Sequence, residues 1–256
     1  MKPLILITND DGYRSEGLQL LMRLAIEVGE VVVVAPERNA SGLSHSFTAN
    51  RPLRVRTVEE RENLHIYACD GTPVDCVKLG QDYFCPRQPD LMLSGINHGS
   101  NSSINVLYSG TMGAVIEAAV SGLKAVGFSL VDTGRPFGLS PAVPYVRHVI
   151  RYALDHELPP HTCLNVNIPV TDDGKLHGLK VCRQSHAEWQ DSYERRIDPH
   201  GIPYYWLAGR FVCDDLAPDT DQYALGQGYV SVVPTTTDFT AFNHLSTLRP
   251  IECQAL

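Results

Sequence analysis

The stretch Leu4-Ile5-Leu6-Ile7 is apolar on both faces and too short for a helix, as a parallel strand buried on both sides must be. Glu16 to Val28 follows, with Leu18, Leu21, Leu24, Ala25 and Val28 on one helical face and Gly29 as its stop. Val31 to Ala35, four valines and an alanine, reads as a second buried strand closed by Pro36. Strand, helix and strand with short links form the right-handed crossover unit of an α/β fold.

The rest of the chain extends that unit. Arg54 to Val58 and Leu64 to Tyr67 read as paired strands around the charged turn Glu59-Glu60-Arg61-Glu62. Thr72 and Pro73 open a helix as N-cap and first position. Asp90 to Leu93 is a buried strand, followed by the polar stretch Ser94 to Asn105. Tyr108-Ser109-Gly110-Thr111 leads into a helix of small residues, and Ala125 to Leu130 is the next strand. Pro141 to His156 is a helix capped by Ser140, and Cys163 to Ile168 alternates Leu164, Val166 and Ile168 with Asn165 and Asn167. After about Val181, tyrosines, tryptophans and turn residues gather. Tyr229 to Val233 is a late strand, and Asp238 caps a short final helix. These elements predict an α/β, Rossmann-like fold: a mainly parallel sheet flanked by helices, with a C-terminal hairpin and helix extension. They form one domain over 1–256, with a core over 1–182 and an extension over 183–256 suited to covering the core or reaching a neighbouring subunit.

Composition narrows the function. Hydrophobic residues make up 43% of the 256, so a sizeable core is expected. The net charge of -8, with no run of Lys or Arg, argues against a nucleic-acid polymer as partner. A small anionic substrate remains compatible, since a metal and backbone amides bind it without a basic surface. Seven cysteines with no Cys-x-x-Cys pair read as reduced thiols of a cytoplasmic protein. Met1-Lys2-Pro3 runs directly into the first strand, so no signal peptide is expected, and no apolar stretch approaches the ~20 residues of a membrane span.

The chemistry gathers behind the strands. Thr8-Asn9-Asp10-Asp11-Gly12 puts two adjacent carboxylates where a buried strand ends. Two such charges ~4 Å apart repel by ~4 kcal/mol at an effective dielectric near 20, and a divalent cation reverses that repulsion. Polar clusters also follow the second strand, Asn39 to Gly42, and the strand ending at Leu93, Gly95 to Asn101. In an open parallel sheet these loops share one edge. Their pooled donors, Asp10, Asp11, Ser41, Ser44, Asn39, Asn97 and Asn101, are oxygen-rich and suit Mg²⁺, Mn²⁺ or Ca²⁺. Ser109-Gly110-Thr111 at a helix start offers backbone N–H groups and the positive dipole end to an anion. A cation on one side and a helix terminus on the other point to phosphate chemistry. Each piece alone is also an ordinary turn or cap, and His45 and His98 read equally as solvated loop residues.

Together these segments resemble a known family. Thr8 to Gly12, Ala35 to Gly42, Gly71-Thr72-Pro73-Val74-Asp75-Cys76-Val77, Ser94 to Asn101 and Tyr108 to Thr111 resemble, in order and approximate spacing, the stationary-phase survival protein SurE family of metal-dependent 5'-nucleotidases. The resemblance implies hydrolysis of nucleoside 5'-monophosphates to nucleoside and phosphate by metal-activated water, with Asp10 and Asp11 catalytic and short polyphosphate as a further substrate. It implies one divalent ion per subunit, Mg²⁺ or Mn²⁺, held by Asp10, Asp11, Ser41 and Asn97. Asn39, Gly42, Asn101, Ser109, Gly110 and Thr111 would line the phosphate pocket, and a homodimer or homotetramer would exchange C-terminal elements. One departure is visible: Ser102-Ser103-Ile104-Asn105 lacks the acidic residues many relatives carry there.

Other readings compete. Aspartyl-phosphate phosphatases want Asp-x-Asp, whereas these two are adjacent. A receiver-like signalling module also places an acidic pair after its first strand, but leaves Ser41 and Asn97 without a role and needs only ~120 residues. A plain nucleotide-binding module lacks its glycine-rich phosphate loop here.

Overall fold

The computed structural model describes residues 2–131 and 138–252. Strand β1 (Leu4–Thr8) lies inside a nine-stranded sheet, and its alternate side chains feed two cores. Ile5 and Ile7 pack with helices α1 (Glu16–Ile26) and α4 (Val143–Asp155) on one face. Leu4 and Leu6 pack with α2 (Pro73–Leu79) and α3 (Gly110–Val120) on the other. Every residue of β1 is buried, and each such aliphatic side chain contributes ~1.5–3 kcal/mol. An apolar run without alternation is therefore what this position requires.

β1 is flanked by β2 (Glu30–Pro36) and β5 (Leu91–His98), both parallel to it. Beyond β2 come β4 (Leu64–Cys69), parallel, and the antiparallel edge strand β3 (Val55–Arg61). Beyond β5 come β6 (Ala125–Val131) and β7 (Thr162–Pro169), again parallel. The chain thus winds outward from β1 to β4 and restarts at β5 on the other side. The gap above β1 and β5 is the topological switch point where open α/β sheets bind ligands.

Several sequence expectations shift. The charges Glu59-Glu60-Arg61 lie within β3 rather than in a turn, because β3 is an exposed edge where charge is tolerated and guards against edge pairing. β5 continues through Ser94 to His98 instead of ending at Leu93. Its polar half stays in the sheet because Ser94 pairs with Thr8 and Gly127, and Asn97 with Ser129, across a register shift. Ser140 is not a side-chain cap: Ser140–Ala142 forms a 3-10 turn, and proline at its start and at that of α4 pre-sets the backbone without a capping acceptor. Asp238 accepts from Thr240 N at 2.8 Å in a local turn, and α6 (Leu245–Leu248) begins later without its help. Thr72 does cap α2, in a capping box with Asp75.

The last third returns to the sheet. β8 (Leu179–Val181) and β11 (Val230–Thr236) are its final strands, with β11 antiparallel to β7. β9 (Glu188–Ile197) and β10 (Pro203–Val212) form a separate two-stranded ribbon. A short helix, α5 (Asp221–Gly226), lies between β10 and β11. Among the described residues no helix is long and apolar enough to cross a membrane, and the six described cysteines are free thiols.

Candidate active site

At the end of β1 the chain turns on Asn9, whose amide nitrogen donates to Gly12 O at 3.1 Å and to Ser15 Oγ at 2.7 Å. Gly12 takes φ +98, which favours glycine. The turn leaves Asp10 aimed at the start of α3. Thr111 Oγ1 donates to Asp10 Oδ1 at 2.5 Å, and the Thr111 backbone N–H supports the same carboxylate. Gly110 permits that approach: a Cβ there would stand 2.9 Å from both Asp10 Cβ and Asp10 Oδ2.

Asp10 is 3% exposed, and burial pushes its carboxyl above the ordinary value. Asp11 adds to that rise, and the Thr111 bonds pull against it. Asp11 is half-buried. Burial raises its carboxyl too, opposed by the His98 N–H, 3.4 Å from Asp11 Oδ2, and by the His98 charge. Neither aspartate owes any of its shift to a Lys or Arg. A buried and a half-buried carboxylate side by side, with His98 as the cationic neighbour of Asp11 alone, are the chemistry a hard cation satisfies. The hydroxyls and amides nearby complete an oxygen donor set for such an ion. Among the described residues no group of three or more His, Cys, Asp or Glu is gathered to hold a metal ion, here or elsewhere, so an ion at this pair would draw its further ligands from hydroxyls and amides.

The other candidate ligands lie on the two segments bonded to this pair, the end of β5 through His98 N and the loop after β2 through Ala40 N. Asn97, next to His98 at the end of β5, is 9% exposed and donates through its amide nitrogen to Gly99 O at 2.9 Å. The loop after β2 is tied to the acidic turn, since Ala40 N donates to Asp10 O at 2.7 Å. Ser41 and Gly42 follow on its exposed side, with Ser41 N bonded to Asn39 Oδ1 at 2.8 Å. Below, Ser44 Oγ reaches Leu107 O at 2.5 Å, His45 reaches Glu117 at 3.0 Å, and Thr48 is held by Asp75. The loop is therefore clamped onto α2 and α3.

Three proposed phosphate residues serve the fold. Ser109 Oγ caps α3, accepting from Met112 N at 3.0 Å, and the Thr111 hydroxyl is bonded to Asp10. Asn101 is buried: its backbone N donates to Asn167 Oδ1 at 2.9 Å, its Nδ2 to Ser129 Oγ at 2.7 Å, and its carbonyl accepts from Asn165 Nδ2 at 2.8 Å. The sequence carried a signal for this network, asparagines at alternate positions of an otherwise apolar strand. It carried none for Asp221. That carboxylate, fully buried at the start of α5, accepts from Ser103 N at 2.7 Å, Ser185 N at 3.0 Å and Ser185 Oγ at 2.7 Å. An acid from the last third thus supports the loop that contains no acidic residue of its own.

Comparison with known proteins identifies the family. The family model described as Survival protein SurE matches residues 5–191. A protein of Cytophaga hutchinsonii named 5'-nucleotidase SurE is 47% identical over 249 residues, covering 97% of this chain and 96% of the relative. One of Christiangramia forsetii with the same name is 45% identical over 249 residues, covering 96% of each. The crystal structure of the SurE protein from Aquifex aeolicus superposes with a TM-score of 0.83 at 35% identity, covering 98% of this chain and 100% of that one. An acidic pair at the switch point, a helix start set against it, and near full-length likeness to these proteins place the chain in the SurE family.

Proposed function

We propose that this protein is a 5'-nucleotidase that hydrolyses nucleoside 5'-monophosphates to nucleoside and phosphate, using a divalent cation. The observation that carries the reading is the meeting of Asp10, beside Asp11, with the start of α3 at the switch point, in a chain whose relatives bear that activity in their names.

Asp10, Asp11, Ser41 and Asn97 are the residues that would hold one Mg²⁺ or Mn²⁺ ion. When bound, such an ion supplies Lewis acidity and neutralises charge on a phosphate ester. Asp10 is held by Thr111 at a fixed angle and stays acceptor-only while ionised. Asp11, more exposed, is the better placed of the two to orient an attacking water or take its proton. With the Thr111 hydroxyl donating to Asp10, the Gly110 backbone N–H and the Ser109 hydroxyl, whose oxygen accepts from Met112 N while its O–H can still donate, are the phosphate donors, together with Asn39 and Gly42 from the exposed loop. Asn101 acts from beneath, by fixing its loop. The same site accommodates the end of a short polyphosphate chain.

The free thiols suit a reducing cytoplasm. The exposed Trp189, Tyr193, Tyr205 and Trp206 of the β9–β10 ribbon suit pairing with further copies as a homodimer or homotetramer. The receiver-like and plain nucleotide-binding alternatives leave the Ser41 loop and the polar end of β5 without a task.

Substituting Asp10→Asn tests the reading. It keeps an acceptor for Thr111 but removes a cation ligand, so metal-dependent phosphate release from AMP is expected to vanish. Retention of full turnover would refute the assignment.

A further inference from the structure

The chain leaves the acidic turn through Tyr13 and Arg14, which meet the edge of the sheet. The Tyr13 backbone N–H donates to Pro36 O at 2.9 Å, and its ring packs into the core on the α1 face. Its hydroxyl oxygen accepts from Arg14 Nε at 2.8 Å and from Nη2 of Arg56, on the edge strand β3, at 3.1 Å. The two guanidinium carbons stand 5.1 and 5.6 Å from the centre of that same ring. Two cations thus gather on one phenol, and the bond from Arg56, more than that from Arg14, lowers the Tyr13 pKa.

This convergence is short of negative charge. Among the described residues Arg14 forms no ion pair, and Arg56 has Glu37 alone, 3.4 Å from its Nε. Like charges gathered around a neutral oxygen repel, and they do so here in a chain of net charge -8, where acids are plentiful. The donors are not used up. With its oxygen accepting two bonds, the Tyr13 hydroxyl still has its own hydrogen to give, Arg14 keeps both Nη groups, and Arg56 keeps Nη1. Forked guanidinium donors match the oxygens of a phosphate. The cluster is also set apart from the acidic pair, since neither arginine contributes to the shift of Asp10 or Asp11.

We propose that Tyr13, Arg14 and Arg56 form a separate anion site, on the α1 face of the sheet edge, for a free oxyanion of the phosphate class. Such an ion receives an O–H from Tyr13 and N–H groups from both arginines, and supplies the charge that the cluster lacks. Under the nucleotidase reading, inorganic phosphate is the ion of this class that every turnover releases. The site itself and its test involve no turnover, so they stand or fall apart from that reading.

Arginine labelling by phenylglyoxal, followed by peptide mass spectrometry of the chelator-treated protein, reads the site residue by residue. Arg14 and Arg56 are exposed and open to the reagent. Inorganic phosphate, at ionic strength held constant with chloride, is expected to slow their labelling saturably, about threefold at twice the half-saturating concentration. The slowing should be the same in Asp10→Asn, and Arg147, bonded to Glu27, should label at an unchanged rate. Tyr13→Phe keeps the ring and removes the hydroxyl, so most of the protection should be lost. Labelling of Arg14 and Arg56 that phosphate leaves unchanged overturns the site, as does equal slowing at Arg147. Protection that vanishes in Asp10→Asn overturns it by placing the ion at the acidic pair, and full protection in Tyr13→Phe overturns the role of the phenol on which the site is built.

Discussion

Thr111 Oγ1 donates to Asp10 Oδ1 at 2.5 Å, joining residues 101 positions apart at the floor of the site. Hydrogen bonds to buried charged groups are worth ~1.5–3 kcal/mol, and this one also fixes the direction in which Asp10 offers its second oxygen. Thr111→Val keeps the shape and removes the donor. It is expected to lower kcat on AMP by more than about tenfold, while Thr111→Ser recovers most of it. Equal kcat values in the valine variant and the wild type would show that the bond orients nothing.

The acidic pair should cost stability when no cation is present. Burial raises the Asp10 and Asp11 carboxyls. A carboxyl with a raised folded-state pKa destabilises the fold above that value, where it must ionise in place, and ceases to do so below its unfolded value near 4. Chelated Asp10→Asn should therefore melt above chelated wild type at pH 7, by about 2–4 °C per kcal/mol regained. The gain should shrink as pH falls toward 4. Added Mg²⁺ should raise Tm for the wild type and leave the variant unmoved. Scanning calorimetry at several pH values reads all three.

Glu117 behaves in the opposite sense. Burial alone would raise its carboxyl, but Lys78 and His45, the latter 3.0 Å away, hold it below its ordinary value. A depressed carboxyl contributes stability above its unfolded pKa of about 4.5 and loses it as pH falls through the folded value. Both partners are substantially exposed, so Glu117→Gln should cost only about 1 kcal/mol at pH 7. Urea titrations of the two proteins should differ at pH 7 and converge as the pH falls below 4.5 and through the depressed folded value. A difference that persists in acid would assign the effect to packing.

Asp221 is the most demanding single carboxylate outside the site. Asp221→Ala strands the Ser103 N–H and both Ser185 donors, at ~1–3 kcal/mol for each group left unpaired. A loss of at least about 3 kcal/mol in urea is expected, with greater proteolytic sensitivity near residue 103. A loss under 1 kcal/mol would mean that water replaces the carboxylate without penalty.

Much of this was legible in the chain. β1, α1 and β2 declared themselves because each is packed on every side the pattern names, so periodicity and packing agree. Asp10 and Asp11 stood out because charge at the end of a buried strand conflicts with the local rule. The polar half of β5 did not read as a strand, since its place is set by neighbours on β1 and β6 rather than by its own side chains. Asp221 was invisible for a related reason. Its partners Ser103 and Ser185 lie 118 and 36 residues away, and no local pattern records so distant a bond.

The central claim is metal-dependent hydrolysis of nucleoside monophosphates at the Asp10–Asp11 pair. The most direct measurement is phosphate release from a panel of nucleoside 5'-monophosphates by chelator-treated protein, repeated after Mg²⁺ or Mn²⁺ is restored. The account requires release that is absent after chelation, returns with the ion, and is lost in Asp10→Asn. Release undiminished by the chelator, or none with any ion from folded protein, would contradict it.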